Sequence, residues 1–375
     1  MITITQGFDG GNIELVTAEN AQNIRLNIRK DNGSDFYQWF YFRLSGGQGQ
    51  AVRMVIDNAA GSAYPGGWEN YAARASYDRD EWFCVPTRYE NGQLVIEHTP
   101  EQDTVWYACF APFSMQRHAD LVADCQMHPD VRLSLLGQTL DGQDFDKLTI
   151  GAPDGAKKQV WFIARQHPGE TMAEWWMEGF LARLLDDDDP TTRILREKCV
   201  FHVIPNMNPD GSLRGHLRTN ACGANLNREW GIATRERSPE VLMVMEEMAR
   251  TGVDFCLDVH GDEALPYNFI AGSEGIPGYT DKQAGLLQAF TKAYKAFSPD
   301  FQTKHGYDVD APGTANMTMA TSWVAHEHDC LAMTLEMPFK DNADLPDPVR
   351  GWSPERAALL GRDVLGALLA VVDDL

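Results

Sequence analysis

Residues Val160-Trp161-Phe162-Ile163-Ala164, followed by Arg165-Gln166-His167-Pro168-Gly169-Glu170, decide the fold. Five consecutive apolar residues bounded by polar ones read as a buried strand, and the pattern over 171–185 then turns helical. His167 and Glu170 thus fall where a strand hands over to a helix. Open α/β sheets bind their ligands outside the carboxyl ends of their strands, which is this position.

Working outward, further apolar runs at 200–204, 255–259 and 332–335 alternate with helical stretches at 239–250 and 281–297. That alternation predicts an α/β domain with a mixed, largely parallel central sheet flanked by helices. Upstream of residue 113 the pattern differs: short β-rich segments at 36–44, 51–56 and 104–108 are separated by Gly, Asn and Pro turns, which predicts a β-sandwich-like domain. A chain of 375 residues suits two domains, placed at 1–115 and 116–375.

Apolar residues make up 43% and charged ones 23%, the balance of a soluble globular protein. Asp and Glu outnumber Lys and Arg by 54 to 32, a net charge of -22 that argues against nucleic acid or an anionic membrane as a partner. The seven cysteines are scattered without a CxxC pair, so neither a disulfide framework nor a sulfur-rich metal site is signalled. Met1 to Gln6 lacks a basic segment leading into a long apolar run, and no later stretch is long enough to cross a bilayer. These features predict a soluble cytoplasmic protein, and a homo-oligomer stays open. The carboxylates of 186–189 before Pro190 read as a solvated turn; Tyr64-Pro65-Gly66-Gly67-Trp68 has two readings, a loop facing the cleft and a plain turn, of which the turn is preferred.

A catalytic zinc takes three protein ligands and leaves a position for water. His167 and Glu170 supply two, although such a pair also occurs by chance. His260, which ends the run 255–259 and precedes Gly261-Asp262, completes a His, Glu, His set if the two strands are neighbours. Histidines 98, 118, 128, 202, 216, 305, 326 and 328 lack this context. Attack by an activated water also needs a base. Glu336, inside the otherwise apolar run 332–339, is the candidate, because a carboxylate there is costly to bury without a purpose or a partner. Between the ligands lie Asn208-Pro209-Asp210-Gly211, a strong turn signal, then Arg218 and Asn227-Arg228. Guanidinium forks suit an anionic substrate group and a developing oxyanion.

With Tyr37-Gln38-Trp39-Phe40-Tyr41-Phe42 and Tyr107-Ala108-Cys109-Phe110-Ala111-Pro112-Phe113, these motifs resemble the metallocarboxypeptidases of the carboxypeptidase A type. The chain is most similar to the cytosolic carboxypeptidase branch, whose members carry a β-sandwich before the catalytic domain. The resemblance implies that His167, Glu170 and His260 hold Zn2+ and that Arg218 polarises the scissile carbonyl. It further implies that Asn227 and Arg228 grip the terminal carboxylate of a peptide or protein, and that Glu336 is general base and then proton donor to the leaving amine.

The chain also departs from that pattern. No tyrosine stands between 313 and 332 to match the family's mobile one, and Tyr307 is the nearest substitute. Asn316 stands where members that trim acidic residues carry an arginine, and an amide offers hydrogen bonds without charge. Asn225 replaces an aspartate two residues before the Asn-Arg pair; its amide oxygen can still accept from a ligand imidazole. Two other readings stay open: an amidoacylase of the aspartoacylase kind acting on N-acyl amino acids, and a peptide-binding module with impaired catalysis.

Overall fold

The structure, a computed structural model, describes residues 1–152 and 156–375. Its N-terminal part forms two five-stranded sheets among the described residues. One runs in the order Thr3–Thr5, Tyr41–Ser45, Thr104–Ala108, Arg74–Ser76, Phe83–Cys84; the other in the order Glu14–Asn20, Asn23–Asn27, Val52–Ile56, Gln93–His98, Thr87–Glu90. Strand side chains alternate between faces, and Ile24, Leu26, Met54 and Ile96 of one sheet share a core with Phe42, Leu44, Val105 and Tyr107 of the other. This is the expected sandwich.

The strand predicted over 36–44 begins only at Tyr41. Upstream of it, side chains serve neighbouring loops instead of a ladder: the Tyr37 hydroxyl donates to Asn58 O (2.9 Å), and Gln38 both donates to Tyr64 O and accepts from Tyr64 N (3.0 and 2.8 Å).

The remainder is built on a seven-stranded sheet ordered Val131–Gln138, Asp144–Ile150, Cys199–Ile204, Lys158–Ala164, Phe255–Val259, Leu331–Glu336, Phe269–Ala271. The four central strands from Cys199–Ile204 to Leu331–Glu336 are mutually parallel, and each outer strand pairs antiparallel with its inner neighbour. Strands Cys199–Ile204, Phe255–Val259 and Leu331–Glu336 are buried throughout, as helices on both faces require. Two of those helices, Met172–Leu184 and Pro354–Leu369, cross where glycines face backbone. A Cβ on Gly179 would lie 2.0 Å from Ala358 O, and one on Gly361 2.1 Å from Trp176 O, so neither position admits a side chain at this separation. The run 186–189 is a turn: Asp189 caps the helix Pro190–Lys198 and Asp187 pairs with Arg196 at 2.6 Å.

One buried carboxylate makes stability depend on pH. Glu240, in the first turn of the helix Pro239–Thr251, accepts from Asn220 Nδ2 at 3.4 Å, while its Oε1 is buried without a partner. Burial pushes its carboxyl up to about 7. Below the ordinary carboxylate range folded and unfolded chains are both protonated and nothing is lost. As pH rises towards 7 the unfolded chain ionises first, so stability falls. Glu240→Gln is expected to stabilise the protein by about 3 kcal/mol at pH 8 and under about 1 kcal/mol at pH 5, measured by urea unfolding at the two pH values.

Candidate metal centre and substrate cleft

Strand register brings the chemical groups together. Ala164 pairs with Val259, and Val259 with Leu335, in adjacent parallel strands. His260, just past its strand, and Glu336, the last residue of its own, therefore stand at the same level, and His260 N donates to Leu335 O at 2.8 Å. The third chain turns sharply at Arg165, whose φ of +58° is a left-handed conformation that a long side chain rarely adopts. Its guanidinium holds that turn in place by donating to Pro168 O (2.9 Å), Phe113 O (2.8 Å) and the buried Glu174 carboxylate.

At this end of the sheet His167 Nδ1 lies 2.6 Å from Glu170 Oε1, and His260 Nδ1 lies 2.8 Å from Glu170 Oε2. The three ligand atoms lie within 4.8 Å of one another, and all three residues are buried. Each imidazole turns Nδ1 to Glu170 because its Nε2 is engaged elsewhere. Asp258 Oδ2 is 2.7 Å from His260 Nε2, and Asn225 Oδ1 is 3.1 Å from His167 Nε2. Two imidazole nitrogens and one carboxylate, each imidazole oriented by a further acceptor, form a donor set that fits zinc. Asp258 is in turn fixed by Gln166 Nε2 (2.6 Å), and Gln166 Oε1 accepts from Trp230 Nε1 (2.9 Å).

The Asn-Pro-Asp-Gly turn buttresses this loop. Asn208 donates to Gln166 O (3.0 Å) and caps the helix Pro209–Arg214. Gly211 is tied to its size, since a Cβ there would lie 2.4 Å from the Pro168 ring and 2.6 Å from Thr219 O.

Burial and nearby charge tune the centre. Burial, with help from Arg218, pulls His167 down to about 4 despite Glu170, so its imidazole is neutral at pH 7, the form that can bind a metal. Burial opposes ionisation of Glu170, but the two imidazoles outweigh it and hold the carboxyl below its usual range. Burial likewise lowers His260, yet the Asp258 and Glu170 carboxylates raise it overall. Glu336 has no such compensation: its Oε2 is buried without a partner, and burial together with Glu170, Asp262 and Glu263 pushes it well up against the pull of His260.

These groups line one cleft of about 520 Å³ that also takes in Tyr64, Arg218, Asn227, Arg228, Glu263 and Tyr307. Asn227 Oδ1 accepts from Ala320 N (2.8 Å), leaving its NH2 to donate. Tyr307 is half exposed, and its hydroxyl donates to Asp262 Oδ2 at 2.6 Å. Asn316 is not brought to the cleft. Its exposed side chain accepts from Thr318 N (3.0 Å) and Thr318 Oγ1 (2.7 Å), the local turn an Asn readily makes. The loop at Tyr64 is more than a plain turn, since Tyr64 itself forms part of the cleft wall. Sequence reasoning also passed over Asp258, Gln166, Arg165 and Glu263. For Asp258 the signal was present, a carboxylate two residues before His260 in an otherwise apolar strand.

A buried His, Glu, His centre beside two cleft arginines, at the carboxyl ends of parallel strands, defines a metallohydrolase. Residues 4–110 match the cytosolic carboxypeptidase N-terminal domain, and residues 119–356 match the zinc carboxypeptidase family. The chain belongs to that family. A metallo-carboxypeptidase from Burkholderia cenocepacia shares the fold with a TM-score of 0.98 and 49% identity over 100% of both chains. One from Pseudomonas aeruginosa, in complex with (2-guanidinoethylmercapto)succinic acid, gives 0.97 and 44% over 99% of both. Cytosolic carboxypeptidase 6 of Caenorhabditis elegans is 25% identical across 88% of this chain and 77% of its own length. Cytosolic carboxypeptidase 3 of Mus musculus is 26% identical across 72% of this chain, but the match spans only 30% of the mouse protein. Among the described residues no helix is long and apolar enough to cross a membrane. The protein is a zinc metallocarboxypeptidase.

Removing the Asp258 carboxylate is expected to loosen the metal without unfolding the sheet. Asp258→Asn should weaken zinc binding by about 10- to 100-fold in competition with a chelator, with an unchanged circular dichroism spectrum.

Proposed function

We propose that His167, Glu170 and His260 hold the zinc and that the cleft takes the C-terminal residue of a peptide or protein, whose last amide bond is hydrolysed. The observation that carries this reading is the buried Glu336 carboxylate, its Oε2 without a partner, in one cleft with the His, Glu, His set, Arg218 and Arg228. Bound zinc supplies a Lewis acid and lowers the pKa of water.

The chain's own groups do the rest. Glu336 takes a proton from the attacking water and returns it to the leaving amine nitrogen. Arg218, whose Nε is buried without a partner, faces the negative charge that develops on the carbonyl oxygen. Arg228 and the Asn227 amide receive the terminal carboxylate, and Tyr307, tethered to Asp262, closes against the bound residue. A cytoplasmic setting goes with this reading, and seven free cysteines support a reducing compartment.

Glu336→Gln keeps the shape and loses the base. Turnover of a peptide substrate should fall by about 10²- to 10⁴-fold while zinc content stays at the wild-type level, and undiminished turnover would remove Glu336 from the mechanism. Arg228→Ala should raise KM by about 10- to 100-fold for peptides ending in a free carboxylate, and should abolish discrimination against the same peptides as C-terminal amides. Assays that include N-acyl amino acids separate this activity from amidoacylase chemistry.

A further inference from the structure

The loop that carries Arg218 is held by the N-terminal domain rather than by its own. Asp31, which is 3% exposed, accepts from Leu217 N on Oδ1 (2.7 Å). Its Oδ2 accepts from Arg218 N (2.8 Å), Thr219 N (2.9 Å) and Thr219 Oγ1 (3.1 Å). Four donors from three successive residues converge on one carboxylate more than 180 positions away in the chain. Nearby bonds extend the clamp: Asn32 N donates to His216 Nε2 (3.1 Å), Asn32 Nδ2 to Ala221 O (2.7 Å) and Asn12 Nδ2 to Gly215 O (2.8 Å).

The side chain is held from the same direction. The Arg218 guanidinium carbon lies 5.5 Å from the Phe36 ring centre and 5.6 Å from that of Tyr64, within cation–π range of both. Aromatic faces fix the plane of a guanidinium without occupying its N–H groups. The charge is therefore oriented while its donors are left for substrate.

We propose that the N-terminal domain completes the catalytic site, with Asp31 a positioning residue for Arg218 and the Phe36 and Tyr64 rings its walls. The proposal rests on the role given to Arg218 above. Asp31 must be a carboxylate for this task. An asparagine has the same shape, but it brings one acceptor oxygen and turns an NH2 toward backbone donors, so part of the cradle fails. A guanidinium displaced by a fraction of an ångström still admits the substrate, and the loss falls on the transition state.

The test is kinetic and uses the full zinc-loaded chain with Asp31→Asn, Arg218→Ala and the double variant. Asp31→Asn is expected to lower kcat by about 10- to 100-fold with KM within about twofold of wild type and unchanged zinc content. In the Arg218→Ala background the same change should alter kcat by less than about twofold, because its effect passes through the missing side chain. An equal loss in both backgrounds, or no loss in wild type, would overturn the proposal. If Asp31→Asn fails to fold, Phe36→Leu leaves the backbone cradle intact and should show the same dependence on Arg218 with a smaller fall in kcat. Undiminished kcat in Arg218→Ala alone would instead refute the role of Arg218, and this inference with it.

Discussion

Ala164, Val259 and Leu335 stand side by side in three parallel strands, and the position of every group at the metal centre follows from that register. A strand's side chains alternate between faces, so a slip of one residue would send His260 or Glu336 to the opposite side of the sheet. Continuous burial of these strands under helices on both faces is what forbids the slip. Arg165 supplies the remaining freedom. Its left-handed backbone lets the third chain leave its strand and return His167 and Glu170 to the level of the other two, and three acceptors for its guanidinium hold it in that conformation.

Gathering these groups concentrates negative charge where water is scarce. Glu170, Asp258, Glu263 and Glu336 are all buried at one end of the sheet, and bare carboxylates in such a place are strongly disfavoured. The structure divides them into two kinds. Glu170 and Asp258 lie against imidazole nitrogens. Glu263 and Glu336 respond instead by holding their protons more tightly, through burial and through the field of Glu170. A divalent cation held by His167, Glu170 and His260 would lower that stress for the whole set, so metal affinity and the proton affinity of Glu336 are two readouts of one charge distribution.

Local patterns were legible in the sequence and cross-chain partnerships were not. The strands Thr104–Ala108 and Phe255–Val259 and the helix Asp281–Phe297 fall where residue patterning puts them, because each is set by its own side chains. The strand expected over 36–44 starts late because Tyr37 and Gln38 serve other loops, a fact no window of sequence contains. Glu336 stood out as a carboxylate in an apolar run. Asp258 stood in a similar run but was read as part of a strand, although its spacing from His260 puts both on one face. Asn316 was singled out only by the family resemblance, where other members carry an arginine, whereas an asparagine in a loop readily closes its own turn, as this one does with Thr318. The Tyr64 turn was legible as a turn, but the direction of its side chain depends on packing between sheets that lie far apart in the chain.

Strands up to Thr104–Ala108 belong to the sandwich, and those from Val131–Gln138 onward to the sheet covered by helices. The bonds between the two are not peripheral. Ala111 O accepts from Thr171 Oγ1 (2.8 Å) and Trp175 Nε1 (3.0 Å) at the start of the helix behind Glu170, and Phe113 O accepts from the guanidinium that holds the Arg165 turn. Asp31 takes the backbone donors of 217–219. Truncation near residue 115 would therefore leave buried donors without acceptors on both sides of the cleft, each costing about 1–3 kcal/mol. Against a total stability of roughly 5–15 kcal/mol, losses of that size fall first on the loops that carry His167, Glu170 and Arg218. The sandwich thus supplies acceptors to the loops that carry His167, Glu170 and Arg218, and those loops are held by contacts from both parts of the chain.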